Sequence, residues 1–177
     1  MSATTLLGRK RTDELGFVLA HEHLKMNFEC SFHSSPYCPL SNDAILTDMS
    51  NRDSAMLRQF PYHFRKNLDF TDYDAVLESL KTYQALGGGT LVEVSTVGLQ
   101  RDPESCARLS QESNVNVIMG TGYYVDAANR TDTKTYSVES LNQFISDELR
   151  NGFHGHEGRF YPGVVGEMGC TWVIFKM

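Results

Sequence analysis

The stretch FVLAHEH, residues 17–23, joins a short apolar run to two histidines that are separated by one residue. Alternate residues of a β-strand point to the same face, so a strand here projects His21 and His23 side by side and turns Glu22 away. At the rise of a strand the two imidazoles stand roughly 6–7 Å apart, which allows both to bind one metal ion. The pattern fits equally well two ordinary histidines near a strand end.

Composition limits the classes of function. The chain has 177 residues, of which 41% are hydrophobic and 21% charged, enough for one domain with its own core. The net charge of −6 and a single basic cluster at residues 8–11, interpreted as a solvated N-terminal segment, argue against a nucleic-acid partner. No apolar run approaches the roughly 18 residues of a membrane span. The N-terminal residues, with only Leu6-Leu7 as an apolar seed, do not read as a secretory signal, and we predict a cytoplasmic protein.

Four cysteines, Cys30, Cys38, Cys106 and Cys170, lack the C-x-x-C spacing of common metal and redox motifs. We therefore predict reduced thiols, as in cytosolic proteins. Cys30 and Cys38 lie near His33, but their spacing matches no common zinc module, and we interpret them as incidental residues of a loop.

Short apolar runs alternate with helical segments, which predicts βαβ units and a parallel sheet. The predicted strands are residues 17–23, 90–96, 115–121 and 163–167. Helices are predicted to start at Thr71 with a capping box over residues 71–74, at Asp102 before Pro103, and at Ser137, the first of them ending at the glycines 87–89. A polar, irregular loop region at about residues 24–70, with a short helix around 42–59, follows the first strand, and connections this long are usually functional.

In parallel barrels, chemistry lies at the carboxyl ends of the strands. These ends carry His21 and His23 on the first strand and Glu167 on the fourth. The glycines at 166 and 169 of the run GEMG would let a ligand or metal approach Glu167. The alternative is a turn residue whose carboxylate binds backbone amides.

Three blocks of sequence resemble the phosphotriesterase-related branch of the amidohydrolase superfamily. The first is LAHEHL at residues 19–24. The second runs from LGGGTLVE at 86–93 through Gly98 and Arg101-Asp102 to GTGYYV at 120–125. The third is GVVGEMGCTW at 163–172, so the resemblance extends from about Gly16 to Trp172.

The resemblance implies an α/β fold, a (β/α)₈ TIM barrel with a binuclear metal centre, most often two Zn²⁺ ions. It places His21 and His23 as ligands of the more buried metal and Glu167 as the carboxylate that bridges both, where many bacterial relatives have a carboxylated lysine. A glutamate supplies two oxygens and a negative charge for this task. The implied reaction is hydrolysis of a small-molecule ester or amide by a metal-activated water, and we favour a small ester or N-acyl amide over a phosphotriester.

A complete barrel of this kind needs about 250 residues, and only about four strands are predicted here. The two histidines and the proton-accepting aspartate that the family places on later strands have no counterpart, so no catalytic residue and no substrate-binding residue is assigned. Residues 173–177 depart from the family pattern, as an alternative transcript, a fragmentary gene model or an engineered fragment would. We therefore expect one truncated domain, residues 1–177, that is inactive alone, binds metal weakly and self-associates through exposed half-barrel edges. The alternative is a non-catalytic fragment that binds a partner through the same surface.

Other polar residues receive ordinary interpretations. His154 and His156 form a second His-x-His pair, but it lies in a Gly-rich stretch and is predicted to be a solvated loop. His33 and His63, in the long loop region, are predicted at the surface, with an approach to a substrate as the alternative. Arg101 and Asp102 are interpreted as loop and helix-cap residues, with a substrate role left open.

Overall fold

Strands and helices alternate along the residues that a computed structural model of the protein describes, 1–32, 54–129 and 135–169. His33, Cys38, Cys170 and the tail at 173–177 lie outside these residues, as does most of the helix predicted over 42–59. The strands are β1 (Ser2–Thr5), β2 (Gly8–Arg11), β3 (Phe17–Glu22), β4 (Met26–Asn27), β5 (Asp69–Phe70), β6 (Gly88–Glu93), β7 (Asn116–Thr121) and β8 (Val164–Val165). The helices are α1 (Ser54–Gln59), α2 (Tyr73–Ala85), α3 (Pro103–Ser113) and α4 (Val138–Asn151). None of the helices described here has the length and apolar character needed to cross a membrane.

The four predicted strands form one parallel sheet in the order β3-β6-β7-β8, which confirms the βαβ prediction. Helix α2 leads into β6, α3 connects β6 with β7, and α4 leads into β8. Apolar side chains of α2 and α3 pack against β6 and β7 in a continuous core. Its fully buried members include Leu91, Leu109, Val117 and Met119. The core therefore holds the sheet at the face that the helices cover.

Helices α2, α3 and α4 begin after residues whose side chains satisfy one of the first free backbone N–H groups. The Asp102 carboxylate accepts from the Ser105 N–H at 3.0 Å, and the Ser137 hydroxyl oxygen accepts from the Ser140 N–H at 3.2 Å, as predicted. The cap of α2 is Asp72, which accepts from the Ala75 N–H at 3.1 Å, so the predicted cap at Thr71 is wrong by one residue.

Strand β6 starts two residues earlier than predicted, inside the glycine run that was assigned to the helix end. Side chains are excluded at both glycines, because a Cβ at Gly88 would collide with the Tyr83 ring and one at Gly89 with the Leu15 carbonyl. The Tyr83 hydroxyl donates to the Phe17 carbonyl at 2.9 Å. The glycines therefore let β6 approach its neighbours closely.

An N-terminal hairpin of β1 and β2 precedes the sheet and was not predicted. Residues 8–11 are exposed, as expected of the basic cluster, but they form a strand. Leu6, in the hairpin turn, is buried, and its N–H donates to the Val117 carbonyl at 2.9 Å. The strand pattern of this hairpin could not be recognised in the sequence because residues 8–11 are mostly charged.

Residues Asn27–Thr71 form a compact unit apart from Met1–Met26 and Asp72–Met177. Its described residues form helix α1 and short 3-10 turns, with Phe64 and Leu68 buried. His63 is also buried and stacks on Phe60 at 5.2 Å between ring centroids, so its predicted surface position is wrong. Strands β4 and β5 pair with each other.

The two outer strands of the parallel sheet, β3 and β8, each pair with a single strand among the described residues. Val18 on β3 and Val165 on β8 are exposed. Strand edges of this kind can pair with a further strand. Self-association through them remains a prediction.

Packing of α3 on the sheet predicts a clear difference between two leucines. Leu109 is 1% exposed in the core, whereas Leu86, just after α2, is 84% exposed. We expect Leu109→Ala to lower the free energy of unfolding by about 2–5 kcal/mol, because it leaves a cavity. Leu86→Ala should change it by less than about 0.5 kcal/mol. Urea unfolding followed by circular dichroism measures both, and equal effects would contradict the assigned core.

Candidate metal centre

Three side chains predicted as ligands come together at the carboxyl edge of the sheet. The His21 Nε2 lies 3.2 Å from the Glu167 Oε2, and the His23 Nε2 lies 3.9 Å from the Glu167 Oε1. One donor atom from each residue lies within 4.8 Å of the others, and no other such group of His, Cys, Asp and Glu occurs among the described residues. The two imidazoles meet edge to face at 5.5 Å between centroids, close to the separation expected from a strand.

Backbone hydrogen bonds to a single residue, Val94, hold the two ligand-bearing segments together. The Val94 N–H donates to the carbonyl of Glu22, the residue between the two histidines, at 3.0 Å. The Val94 carbonyl accepts from the N–H of Glu167 at 3.4 Å. Strand β3 ends at Glu22, one residue earlier than predicted, and its register with β6 shifts between Leu19 and Glu22. The separation of the ligands is therefore set by main-chain pairing to the end of β6.

Glycines on β7 and just after it let Glu167 reach this position. A Cβ at Gly120 would collide with the Gly166 carbonyl oxygen, and one at Gly122 with the Glu167 carbonyl oxygen. The Gly166 N–H donates to the Thr121 carbonyl at 2.8 Å, and Gly166 itself has a φ of +149°. Glycine is suited to both the close approach and this φ. Because Gly120 and Gly122 lack side chains, the segment after β8 can lie directly against β7 and reach Val94.

Burial shifts the pKa values of two members of the cluster, Glu167 and His23. Burial raises the pKa of the Glu167 carboxyl, and the nearby His21 opposes this. Burial lowers the pKa of His23, and His21 lowers it further. The Glu167 Oε1 is buried and accepts no hydrogen bond from the described residues. A carboxylate oxygen without a hydrogen-bond partner in the described part of the chain, beside two imidazole nitrogens, suits a divalent cation, whereas the alternative of a turn residue would require a backbone amide at this oxygen.

A second layer of polar groups lies behind His23, and the sequence did not reveal it. The His23 Nδ1 is 2.9 Å from the Ser95 Oγ, and Ser95 is fully buried. The Glu93 Oε1 accepts from the N–H of Ser95 at 3.3 Å and from the N–H of Leu24 at 3.4 Å. Burial raises the pKa of Glu93 to about 7. The sequence contained one signal for this layer: Glu93 is the single charged residue of β6, whose other residues are Gly, Thr, Leu and Val.

Arg101 makes a buried ion pair with Glu148 of α4, and its guanidinium lies over the Phe153 ring at 4.3 Å from the centroid. The Thr121 hydroxyl donates to the other Glu148 oxygen at 2.6 Å. Arg101 was predicted as a loop residue, but Glu148 lies 47 residues away and could not be identified as its partner. Asp102 caps α3 as predicted.

The second His-x-His pair does not converge. The His154 Nδ1 lies 3.7 Å from Glu157, and the His156 Nδ1 lies 3.8 Å from Glu104. The two imidazoles therefore turn to different carboxylates, as expected of a loop without a metal site. Cys30 and Cys106 are free thiols, as predicted.

The sequence matches the model of the phosphotriesterase family over residues 1–176. The chain belongs to the phosphotriesterase family. Curated relatives named N-acetyltaurine hydrolase are 39% identical over 171 residues in Salmo salar and 34% identical over 174 residues in Homo sapiens. Each alignment covers 96% of this chain and 48% of the relative, so the chain spans about half the length of these relatives.

Solved structures of the family confirm the barrel fold. A resiniferatoxin-binding protein from Rhodobacter sphaeroides superposes with a TM-score of 0.81 at 26% identity, over 95% of this chain and 46% of that one. The phosphotriesterase homology protein of Escherichia coli superposes with a TM-score of 0.61 at 21% identity, over 88% of this chain and 42% of that one. The parallel sheet β3-β6-β7-β8 is therefore half of a TIM barrel.

The buried Glu93 predicts a pH-dependent stability. Burial raises its pKa to about 7 in the folded protein, from an ordinary value of 4.5. Between these two values the folded chain keeps a proton that the unfolded chain has released, so the free energy of unfolding falls as the pH rises. The contribution of Glu93 is fully present below about pH 4.5 and is lost by about pH 7, roughly 3 kcal/mol in total.

Glu93→Gln removes the titrating group while keeping the shape of the side chain. The stability of the variant relative to the natural protein should therefore increase between about pH 5 and pH 8, as measured by urea unfolding across this range. A difference that stays constant with pH would contradict the assignment of the titrating group.

Proposed function

We propose that this chain provides one half of the metal centre of a zinc-dependent hydrolase that cleaves a small N-acyl amide or ester bond. The convergence of His21, His23 and Glu167 at the carboxyl edge of a family barrel carries the proposal. The curated relatives named N-acetyltaurine hydrolase support an N-acyl amide as the substrate in preference to a phosphotriester.

The three side chains have distinct tasks in this proposal. His23 is the more enclosed imidazole, with 22% of its side chain exposed against 61% for His21, so it anchors the inner side of the site. Glu167 presents one oxygen toward each imidazole, which suits a carboxylate shared between two cations. When bound, the cations would supply Lewis-acid activation of a carbonyl and of the attacking water.

The remaining groups for turnover come from later strands. The resemblance places two further histidine ligands and the proton-accepting aspartate on strands five to eight of the barrel. We therefore propose hydrolysis for a protein with all eight strands and weak metal binding without turnover for residues 1–177. The loops after the later strands would select the substrate.

Metal binding by this chain tests the ligand assignment directly. We expect His23→Ala and Glu167→Gln each to weaken Zn²⁺ binding at least about tenfold, because each removes one donor of the set. His156→Ala is the matched control, since His156 faces Glu104 and should leave binding unchanged. Isothermal titration calorimetry measures all three. Equal zinc affinity in the natural chain and in both ligand variants would refute the site.

The Gly122→Ala variant tests how Glu167 is placed. The added Cβ collides with the Glu167 carbonyl oxygen, so the ligand must shift and zinc affinity should fall at least about tenfold. Gly98→Ala, whose Cβ meets the Ala128 carbonyl oxygen, introduces a comparable backbone clash away from the ligands. Thermal unfolding checks that both variants fold. Loss of zinc affinity in Gly98→Ala alone would contradict the proposed placement.

Substrate class is tested by joining residues 1–177 in one polypeptide to the remaining residues of the Salmo salar relative. With zinc bound, this protein should release taurine from N-acetyltaurine faster than it hydrolyses a phosphotriester, and His23→Ala should abolish the release. Residues 1–177 alone should not release taurine. A zinc-loaded protein that prefers the phosphotriester would overturn the substrate proposal while leaving the metal centre intact.

A further inference from the structure

The hydroxyl of Ser95 lies against the ring nitrogen of His23 that does not face Glu167. We propose that Ser95 is a positioning residue, which accepts the Nδ1 proton of His23 and so leaves the Nε2 lone pair free for the cation. The inference deepens the proposed function and rests on it for the role of the cation, but the state of the imidazole can be measured without metal.

Distances around the ring favour this tautomer. The Ser95 Oγ is 2.9 Å from the Nδ1, a good hydrogen-bond distance. The nearest carboxylate oxygen of Glu167 is 3.9 Å from the His23 Nε2, too far to accept a hydrogen bond. A proton on Nδ1 therefore has an acceptor, whereas one on Nε2 would lack one at Glu167. The hydrogen bond of one ring nitrogen decides which nitrogen stays free for a metal.

Ser95 is itself held in place from behind. The Glu93 Oε1 accepts from the backbone N–H of Ser95 and from the backbone N–H of Leu24, the residue directly after His23. The Glu93 Oε1 thus links Leu24, which directly follows His23, to Ser95, which contacts the His23 ring. Neither Ser95 nor Glu93 is exposed, so solvent cannot substitute for these contacts.

His21 provides an internal comparison. Its Nε2 lies 3.2 Å from the Glu167 Oε2, within reach of a hydrogen bond, and its side chain is 61% exposed. Its tautomer is therefore governed by Glu167 and water, and removal of the Ser95 hydroxyl should leave it unchanged.

Long-range ¹H–¹⁵N correlation spectra of the metal-free chain at about pH 8, above the ordinary histidine pKa, report the tautomer of each imidazole. We expect His23 to carry its proton on Nδ1 in the natural chain and in Ser95→Thr, and to shift toward Nε2 in Ser95→Ala. The spectrum of the natural chain needs no variant to fold. A proton on Nε2 of His23 in that spectrum, or no change in a folded Ser95→Ala, would overturn the inference.

Zinc affinity provides the second readout. We expect Ser95→Ala to bind zinc about 10–100-fold more weakly, and Ser95→Thr to stay close to the natural chain. Ser110→Ala is the matched control, because it removes another buried hydroxyl, which donates to the Val115 carbonyl at 2.6 Å, without touching His23. An equal loss in Ser110→Ala would reduce Ser95 to a structural role. If the natural chain binds no zinc, the proposed function fails, while the spectra still decide the role of Ser95.

Discussion

The candidate site depends on main-chain pairing at one residue, Val94. Its N–H binds the carbonyl of Glu22 and its carbonyl accepts from the N–H of Glu167, so both segments that carry ligands attach to the end of β6. Main-chain pairing places the ligands independently of which side chains they carry. The helices α2 and α3 hold β6 in turn through the buried core.

The same edge of the sheet contains an unusual amount of buried charge. Glu93, Glu148 and Arg101 lie in it, and only the last two neutralise each other. Isolated buried charges cost free energy unless they are paired or protonated, and the raised pKa of Glu93 shows this cost. Glu93 nevertheless has a structural role, because it accepts from the backbone N–H groups of Leu24 and Ser95, one on each side of the contact between His23 and Ser95. Burial of Glu93 therefore lowers stability, while its hydrogen bonds fix the backbone around the contact between His23 and Ser95.

Local patterns predicted the strands and the parallel sheet, but they gave no sign of the long-range contacts. Short runs rich in Val and Thr predict β6 and β7, and the resemblance names His21, His23 and Glu167 as candidate ligands. The supporting contacts join residues far apart in the chain: His23 to Ser95 across 72 positions, and Arg101 to Glu148 across 47. Ser95 and Glu148 have no local motif that marks a partner. Helix caps were predicted because they are local, apart from the one-residue error at Thr71.

The placement of the candidate ligands depends only on the described half of the barrel. Ligands on the first and fourth strands of the barrel meet within the four-stranded sheet, because β6 links them and the bare side of β7 allows Glu167 to pass. Their meeting therefore requires no strand beyond β8. The further ligands and the proton acceptor that the resemblance implies would lie on later strands. In the proposed function the two halves therefore have separate tasks: the described half would hold the inner ligands, and the later strands would add the remaining groups.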